Sequence, residues 1–414
     1  MAINVLYLGY WSACDPLTQA VIVPRLRILS QQEEIGKIIF CSIERNGKSE
    51  FIDLPKVKWI GFYSEQKQNV IQTKFGDFIK IPLLLKALIS SENINLIIGN
   101  SPLAGGICYL ALKRLSIPLV VECFEPHADS MRESGVWATW DLRYWILKYL
   151  EFKQKKVAWK LQVVSSHYAN KLTRERVPTQ KIKMLANCLS IEDFTFNNHQ
   201  RSRVRAKLGF SDSAIVSIYV GKFGGIYYDQ EAFELFASAF RFFGDSFRLI
   251  ILTTHDSNEV KNNLSLHGID ASKAFVSSVP HSEVMDYLSA SDFAFATIKS
   301  TPIRLYCCPV KNGEYWANGL PILLENGIGD DSDIIKREGG GIILNKTRVI
   351  DSLKKMKDYL SVGREEQALR IKPIAFNYRR LDLITIYYKD LISQFKSLHL
   401  PIAFLVYRLT EISI

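Results

Sequence analysis

A helix that begins at Pro309 carries the side chains of this sequence best suited to hold a ligand. Pro309 fits a first turn because its missing N–H would be unpaired there, and Gly319 with Pro321 ends the helix after about three turns. The free amides and dipole of the helix N-terminus favour an anion, and Lys311 adds a full positive charge. Glu314 can accept two hydrogen bonds from a diol. The segment predicts a site for a phosphorylated, hydroxyl-bearing ligand such as a nucleotide-sugar, with an ordinary surface helix as the alternative.

Two further groups of polar residues follow predicted strands. One strand ends at Gly221, and Lys222 then places a cation beside flexible backbone where a diphosphate can approach, although a plain strand-to-helix loop explains these residues as well. The strand at 118–124 is followed by Glu125 and His127. Polar residues just past a buried strand are good site candidates. A carboxylate pair for glycoside hydrolysis and a structural role for His127 remain alternatives.

Short apolar runs alternate with helical patterns along the sequence, which is the signature of βαβ units around a parallel sheet. The predicted strands of the first half are residues 3–8, 37–43, 95–100, 118–124 and 161–166. Those of the second half are residues 215–221, 248–253, 274–279, 293–297 and 321–325. Apolar positions at helical spacing predict helices between them, and a last helix over 381–395.

The length of 414 residues exceeds what one hydrophobic core usually serves. We predict a Rossmann-like doubly wound domain at 1–190, a polar and basic linker at 191–208, and a second domain of the same kind at 209–374. Residues 375–414 are predicted to form a helix that crosses back to the first domain, followed by a tail. Two such domains face each other across a cleft, which brings the polar groups at their strand ends to one site.

The net charge of +10 suits an anionic partner, but no RNA- or DNA-binding module is recognisable, so we expect no nucleic acid. Seven cysteines without CxxC or metal-ligand spacing favour a reduced, cytoplasmic setting. The N-terminus lacks the basic region of a signal peptide, and no stretch is apolar enough to cross a bilayer. The apolar tail at 402–409 is too short and contains Arg408.

Residues 137–160 combine four tryptophans with tyrosines and a cluster of lysines. Aromatic and basic residues on one helix suit peripheral contact with a membrane surface. An equally good explanation is that the aromatic rings pack on the domain and the lysines form a solvated face.

The segment Pro-Val-Lys-Asn-Gly-Glu-Tyr at 309–315, followed by Gly-Leu-Pro-Ile at 319–322, resembles the donor-site segment of retaining glycosyltransferases of the GT-B fold, especially family 4. The resemblance covers nearly the whole chain. It implies an α/β architecture in which two Rossmann-like, doubly wound domains face each other across a cleft.

Roles for the helix follow from this resemblance. Glu314 is expected to bind the ribose hydroxyls, while Pro309, Val310 and Lys311 at the helix start hold the diphosphate. The family commonly has another Glu eight positions before Glu314, where this sequence has Tyr306. That part of the motif is absent.

The resemblance extends to two other donor segments. The family often has Gly-Arg with a Lys five residues later, whereas this sequence has Gly221 and Lys222 but Tyr227 at the second place. Pro280 and His281 lie in a segment that resembles the base-recognition region, and a structural turn explains them equally well. His281 is not expected to bind a metal, because no second ligand stands at suitable spacing.

On the first-domain side, the resemblance assigns His127 to the donor sugar near the reaction centre. Glu125 is expected to orient His127 or to bind the acceptor. The loop after the first strand resembles the acceptor-side loop, with Asp15, Thr18 and Gln19 as its polar residues. Asp15 is equally well explained as an ordinary residue at a helix start.

The implied activity is transfer of a sugar from a UDP- or GDP-linked donor to a hydroxyl of a saccharide or lipid-linked acceptor, with retention of configuration. Surface polysaccharide or glycolipid assembly at the inner face of the plasma membrane is the expected setting. The charge on the departing diphosphate is expected to be stabilised by Lys222, Lys311 and the helix amides, so no cofactor or metal is expected. The alternatives are an epimerase or phosphorylase on the same fold, and a catalytically degenerate scaffold, which Tyr306 and Tyr227 make credible.

Overall fold

The structure is a computed structural model that describes residues 2–45, 51, 53–64, 70–113 and 115–398, without the side chains of 70–75. The predicted tail at 402–409 lies outside the described residues. The described chain forms two parallel sheets, each flanked by helices.

The first sheet consists of β1 (Ile3–Gly9), β2 (Ile35–Glu44), β3 (Val57–Tyr63), β4 (Leu96–Asn100), β5 (Leu119–Phe124), β6 (Lys160–Val163) and β7 (Ile182–Met184). The second consists of β8 (Ile215–Val220), β9 (Phe247–Leu252), β10 (Ala274–Ser277), β11 (Phe293–Ala296), β12 (Ile322–Glu325) and β13 (Gly341–Leu344). Their spatial orders are β3-β2-β1-β4-β5-β6-β7 and β10-β9-β8-β11-β12-β13. Both sheets are doubly wound, and the order reverses between β1 and β4 and between β8 and β11. Ligand crevices form at such reversals, beyond the carboxyl ends of the strands.

The helices are α1 (Val23–Ser30), α2 (Val70–Ser91), α3 (Pro102–Ala111), α4 (His127–Glu133), α5 (Leu142–Val157), α6 (Ser166–Arg174), α7 (Asn198–Leu208), α8 (Gln230–Phe243), α9 (Ser257–Leu266), α10 (His281–Ala290), α11 (Val310–Ala317), α12 (Asp331–Glu338), α13 (Val349–Tyr359), α14 (Arg364–Arg379) and α15 (Asp382–Leu398). Together with the strands they confirm the predicted α/β class.

All ten predicted strands are present, and the three strands that the pattern did not reveal are β3, β7 and β13. Each lies at an edge of its sheet. β3 is mostly half-buried, β7 has three residues and β13 has four. An edge strand is covered on fewer sides than a central one, so it needs no long apolar run to mark it.

The last two helices belong to different cores. Ile371 and Ile374 of α14 pack around the buried Trp316 of the second domain. Tyr388 and Leu391 of α15 lie in the same apolar cluster as strands β1 and β2 of the first domain. The chain therefore returns to the first domain through the turn between α14 and α15.

Residues 191–208 were predicted as a linker, and the structure differs there. They form a short 3-10 turn and helix α7. Asp292, the residue directly before β11, forms ion pairs with two arginines of α7. Arg201 Nη2 lies 2.7 Å from its Oδ1, and Arg205 Nη2 lies 2.8 Å from its Oδ2. The arginines that make this stretch look like a solvated linker therefore attach it to the second domain.

Gly319 offers a test of the turn that ends α11. Its φ is +70°, and a Cβ there would lie 2.3 Å from the Cα of Ala368 in α14. Gly209 ends α7 with φ +67° and has open space around it. Both Gly→Ala variants share the left-handed penalty, so we expect Gly319→Ala to cost about 1–3 kcal/mol more than Gly209→Ala because of the clash. Urea unfolding of both variants measures the difference, and equal losses would contradict the packing.

Candidate functional site

Helix α11 begins at Val310, with Pro309 as the residue before its first turn. It has eight residues, which is a little over two turns and shorter than the predicted three. Gly319 ends the helix because its left-handed backbone turns the chain so that the N–H of Leu320 bonds the carbonyl of Tyr315 at 2.8 Å. Pro309 supplies no capping side chain, so the first amides of the helix stay open to a ligand.

Glu314 of α11 is a buried carboxylate that lies between the side-chain nitrogens of Lys311 and His281. Its side chain is 2% exposed, Lys311 Nζ lies 2.9 Å from Oε2, and His281 Nε2 lies 3.2 Å from Oε1. Burial raises the pKa of Glu314, but the Lys311 charge and the His281 hydrogen bond outweigh it and hold the pKa below its usual value. Glu314 is therefore ionised at neutral pH. The predicted donor residues Lys311, Glu314 and His281 form one cluster, in which His281 is the first residue of α10 after Pro280.

The loop after β8 contributes backbone and one lysine. Gly221 donates its N–H to the carbonyl of Leu252 at 3.0 Å, and this bond holds Gly221 beside the last residue of β9. Lys222 is exposed, and its ammonium makes no hydrogen bond or ion pair to any residue that the structure describes. Phe223 N–H donates to His255 Nε2 at 3.2 Å. His255 was missed from the sequence because it lies after β9, a strand with no motif of its own.

Tyr227 and Tyr306 occupy the two places where the resemblance expected polar residues. Tyr227 lies in the turn after β8, and burial raises its pKa while the nearby Arg304 lowers it. Tyr306 packs against Tyr168 of the first domain, with ring centroids 5.1 Å apart. Tyr306 thus makes an aromatic contact between the domains.

His127 and Glu125 lie on the opposite side of the cleft. His127 Nδ1 lies 3.0 Å from Glu125 Oε1, and the His127 ring packs edge-on against Trp137. Before them, Cys123 near the end of β5 has a left-handed conformation, φ +49°, where the pairing of β5 with β6 shifts its register. The structure thus brings the Glu125 carboxylate and the His127 imidazole together, while the predicted roles of orienting His127 or binding the acceptor stay predictions.

Glu151 supports this loop and was missed from the sequence. It lies on the buried face of α5, and its Oε1 accepts the N–H of Ala128 at 2.8 Å. Burial raises the pKa of Glu151 to about 7. Its only signal in the sequence is one carboxylate at an apolar position of the helix.

Contacts across the cleft bring the two sides together. Asn187, after β7, donates Nδ2–H to the carbonyl of Cys308 at 2.7 Å. Ser165, after β6, donates to the carbonyl of Leu305 at 2.8 Å. Burial raises the pKa of the Cys307 thiol, and the negative charge of Glu125 raises it further. The loop of His127 and the start of α11 therefore face each other.

The start of α11 rests on a buried ion pair. Asn312 Nδ2 donates to Asp331 Oδ2 at 2.8 Å, and Asp331 binds Arg379 of α14. Burial raises the pKa of Asp331, although Arg379 opposes this. Arg379 also contacts the Cys308 thiol and the carbonyl of Asn187.

The predicted acceptor residues are engaged in their own loop. Asp15 accepts the N–H of Leu17 at 2.8 Å, as expected of a residue at a helix start. Gln19 donates to Ala13 O at 2.7 Å. Thr18 is buried, and its hydroxyl has no partner among the described residues. The loop is also held by Glu44 of β2, which accepts the N–H of Ala13 at 2.9 Å.

Helix α5 shows a face of exposed apolar side chains, which are Leu142, Trp145, Tyr149 and Phe152, with Trp140 just before the helix. Lys153 lies over the ring of Tyr149 at 5.2 Å, and Lys156 over that of Phe152 at 4.3 Å. The buried face of the helix carries other residues. Of the four tryptophans in residues 137–160, Trp137 is buried and Trp159 packs against Phe395 of α15, whereas Trp140 and Trp145 are exposed. No helix in the described part of the chain is long and apolar enough to span a bilayer. The same residues contain no cluster of three or more metal-ligand side chains.

No known family model matches this sequence, and no curated protein does. The structure is similar to sucrose-phosphate synthase from Thermosynechococcus elongatus, with a TM-score of 0.74 at 12% identity over 95% of this chain and 99% of that one. It is also similar to Anabaena Alr3699/HepE in complex with UDP and glucose, with a TM-score of 0.68 at 12% identity over 95% and 100%. A third is WaaG, a glycosyltransferase involved in lipopolysaccharide biosynthesis, with a TM-score of 0.65 at 13% identity over 93% and 98%. The predicted GT-B fold is confirmed.

The raised pKa of Glu151 gives a stability test. Its folded pKa of about 7 exceeds the ordinary value of 4.5, so its contribution is full below pH 4.5 and is lost as the pH rises through 7. Glu151→Gln cannot ionise and still accepts the Ala128 N–H. Relative to the wild type, it should therefore gain unfolding free energy between about pH 5 and pH 8.

Thermal unfolding across this range measures the effect. Glu133→Gln removes an exposed carboxylate from the end of α4 and serves as the control. A Glu151→Gln profile that runs parallel to the wild type would contradict the assigned burial effect.

Proposed function

We propose that this protein is a glycosyltransferase that moves a sugar from a nucleotide-sugar donor to a hydroxyl acceptor, with retention of configuration. The observation that carries the proposal is the ionised, buried Glu314 between Lys311 and His281 at an uncapped helix start. This arrangement offers acceptors for a diol and donors for a diphosphate within one turn of helix. The similar structure with bound UDP and glucose supports a nucleotide-sugar as the ligand.

The second domain would bind the nucleotide. Each oxygen of Glu314 has one nitrogen partner and keeps capacity for a second bond, which a ribose hydroxyl can use. The amides of α11 and the charges of Lys311 and Lys222 are suited to the diphosphate. Pro280 and His281 are proposed to contact the nucleobase, and Gly221 is proposed to allow close approach of the backbone to the diphosphate.

The first domain would act on the sugar. Glu125 accepts from Nδ1 of His127, so Nε2 is left for a hydroxyl of the donor sugar. Asp15, Thr18 and Gln19 are proposed for the acceptor side, through a loop whose shape Asp15 and Gln19 maintain.

In the proposed reaction the bond between the anomeric carbon and the diphosphate oxygen breaks, and a bond to the acceptor oxygen forms on the same face. The acceptor proton passes to the departing diphosphate. Negative charge grows on that diphosphate, and preorganised amides and cations in a cleft stabilise it more than water does. The proposal includes no metal and no cofactor.

The donor is proposed to be UDP- or GDP-linked and the acceptor a saccharide or lipid-linked hydroxyl, in surface polysaccharide or glycolipid assembly at the cytoplasmic face of a membrane.

The test is a screen of nucleotide-sugars in which nucleoside diphosphate release is followed with and without hydroxyl acceptors. Acceptor-dependent release that survives a chelator supports the proposal. Donor epimerisation, or sugar transfer to phosphate, would replace it with the epimerase or phosphorylase alternative. If calorimetric titration shows no binding of any nucleoside diphosphate, the result would favour the scaffold alternative.

Lys311 is the residue whose loss should affect the chemistry most. Its ammonium is partly exposed but compensates the buried charge of Glu314, so Lys311→Ala should lower the unfolding temperature, and kcat is compared at a temperature where the variant is folded. We expect kcat to fall about a hundredfold, because one preorganised group that stabilises the leaving charge is lost. Lys354→Ala removes an exposed lysine of α13 and serves as the control. Equal turnover in the two variants would reject the role of Lys311.

We also propose that α5 rests on an anionic membrane surface. Its exposed aromatic face would enter the interface, and Lys153 and Lys156 would meet the lipid headgroups. Trp137, shortly before the helix, contacts His127, so this surface begins beside the cleft. An acceptor with a lipid anchor would then reach the site from the membrane.

Phe152 gives this surface a matched test. Phe152 is 49% exposed under Lys156, and Phe376 of α14 is 50% exposed under Arg380. We expect Phe152→Ser to weaken binding to phosphatidylglycerol vesicles about tenfold, because apolar burial in the interface is lost. Phe376→Ser should bind as the wild type does. Co-sedimentation measures both, and equal losses would show that α5 is not the contact.

A further inference from the structure

The segment between β11 and α11 is attached to the opposite domain. It contains a short 3-10 helix, Pro302–Tyr306, that ends just before the start of the donor helix. Arg304 Nη1 donates to Ser130 Oγ at 3.0 Å, and its Nη2 donates to Ser134 Oγ at 2.6 Å. Both serines belong to the first domain, in α4 and directly after it.

Arg304 is fixed in its own domain as well. Its carbonyl accepts the N–H of Gly329 at 2.8 Å and that of Cys307 at 3.3 Å. Gly329 follows β12, and Cys307 precedes Pro309 by two residues. The backbone of Arg304 is therefore part of the loops that shape the donor side.

The side chain of Arg304 carries a charge that its surroundings compensate poorly. The residue is 8% exposed, and no carboxylate lies within ion-pair distance of it among the residues that the structure describes. Its Nε has no hydrogen-bond partner in the same set of residues. Its hydrogen bonds go to serines at the carboxyl-terminal half and end of α4, where the helix dipole is negative. A buried guanidinium is costly, so a role in apolar packing alone does not account for an arginine here.

The placement of Ser130 links this arginine to the chemistry. Ser130 lies three residues after His127, which is the first residue of α4. Ser134 follows the last residue of the same helix and donates its hydroxyl to Ser130 O at 2.7 Å. Arg304 therefore binds the carboxyl-terminal half of α4, the helix whose first residue is His127.

We propose that Arg304 is a positioning residue for sugar transfer, which holds the helix of His127 in register with the start of α11. The proposal rests on the proposed function. Nucleotide binding needs only the second domain, whereas transfer needs both sides of the cleft at a fixed distance. Loss of Arg304 should therefore slow transfer and leave nucleotide affinity nearly unchanged.

A double-mutant cycle tests this proposal in the full-length protein. We expect Arg304→Gln to lower kcat at least about tenfold, because small displacements of a catalytic group have large effects. Ser130→Ala should lower kcat by a smaller factor, and the double variant should match Arg304→Gln. The dissociation constant for the active nucleoside diphosphate should change less than about threefold. Arg241→Gln is the control, because Arg241 is exposed in α8 and also donates to a serine, Ser238 at 3.1 Å.

Hydrogen exchange of the amides of α4 is the readout that does not depend on activity. Exchange should rise in Arg304→Gln and stay at the wild-type level in Arg241→Gln. If Arg304→Gln does not fold, the pair Ser130→Ala and Ser134→Ala replaces it, with the same expectations. Unchanged exchange of α4, a kcat equal to that of the Arg241→Gln control, or additive effects in the cycle each overturn the proposal. A wild type that binds no nucleoside diphosphate refutes the proposed function instead, and the exchange result then decides separately whether Arg304 holds the helix.

Discussion

The buried pair of Arg379 and Asp331 joins the parts on which the donor side of the cleft depends. Asp331 holds Asn312 in the first turn of α11, while Arg379 reaches the Cys308 thiol and the carbonyl of Asn187 in the crossing between the sheets. Removing one partner of such a pair typically costs about 3–5 kcal/mol, because the other charge is left buried and unpaired. The same contact therefore holds both the helix that carries Lys311 and Glu314 and the chain at Asn187, where it passes from the first sheet to the second.

The electrostatics of the site follow from this fixed helix. Glu314 is buried, yet Lys311 and His281 keep its pKa low. On the facing side Glu151 is buried and has no ion pair with any described residue, and its pKa rises to about 7. Two carboxylates at similar depth thus differ in pKa because their neighbours differ. Glu314, whose pKa is lowered, can accept hydrogen bonds from a ligand, while Glu151 supports the backbone at Ala128, next to His127.

The departures from the resembled family concern the contact between the domains. Tyr306 stands in place of an expected carboxylate and packs at a tilt against Tyr168 of the first domain. Tyr227 replaces an expected lysine and lies near Arg304, the cation of the donor side that is bound to serines of the first domain. In this chain the segment before α11 contacts the first domain, while Lys311 and Glu314 lie together at the start of α11.

The sequence by itself determined ten of the strands, the helix of Lys311 and Glu314, and the two-domain arrangement, because apolar periodicity, Pro, Gly and a short motif act within a few residues of each other. It did not determine the edge strands β3, β7 and β13, which lack long apolar runs, nor the roles of Glu151, Arg304 and Arg379. Arg304 meets Ser130 across 174 residues, and Arg379 meets Asp331 across 48. Only the tertiary structure decided these pairs, because a buried charge finds its partner through the packing of distant elements and leaves no pattern in the local sequence.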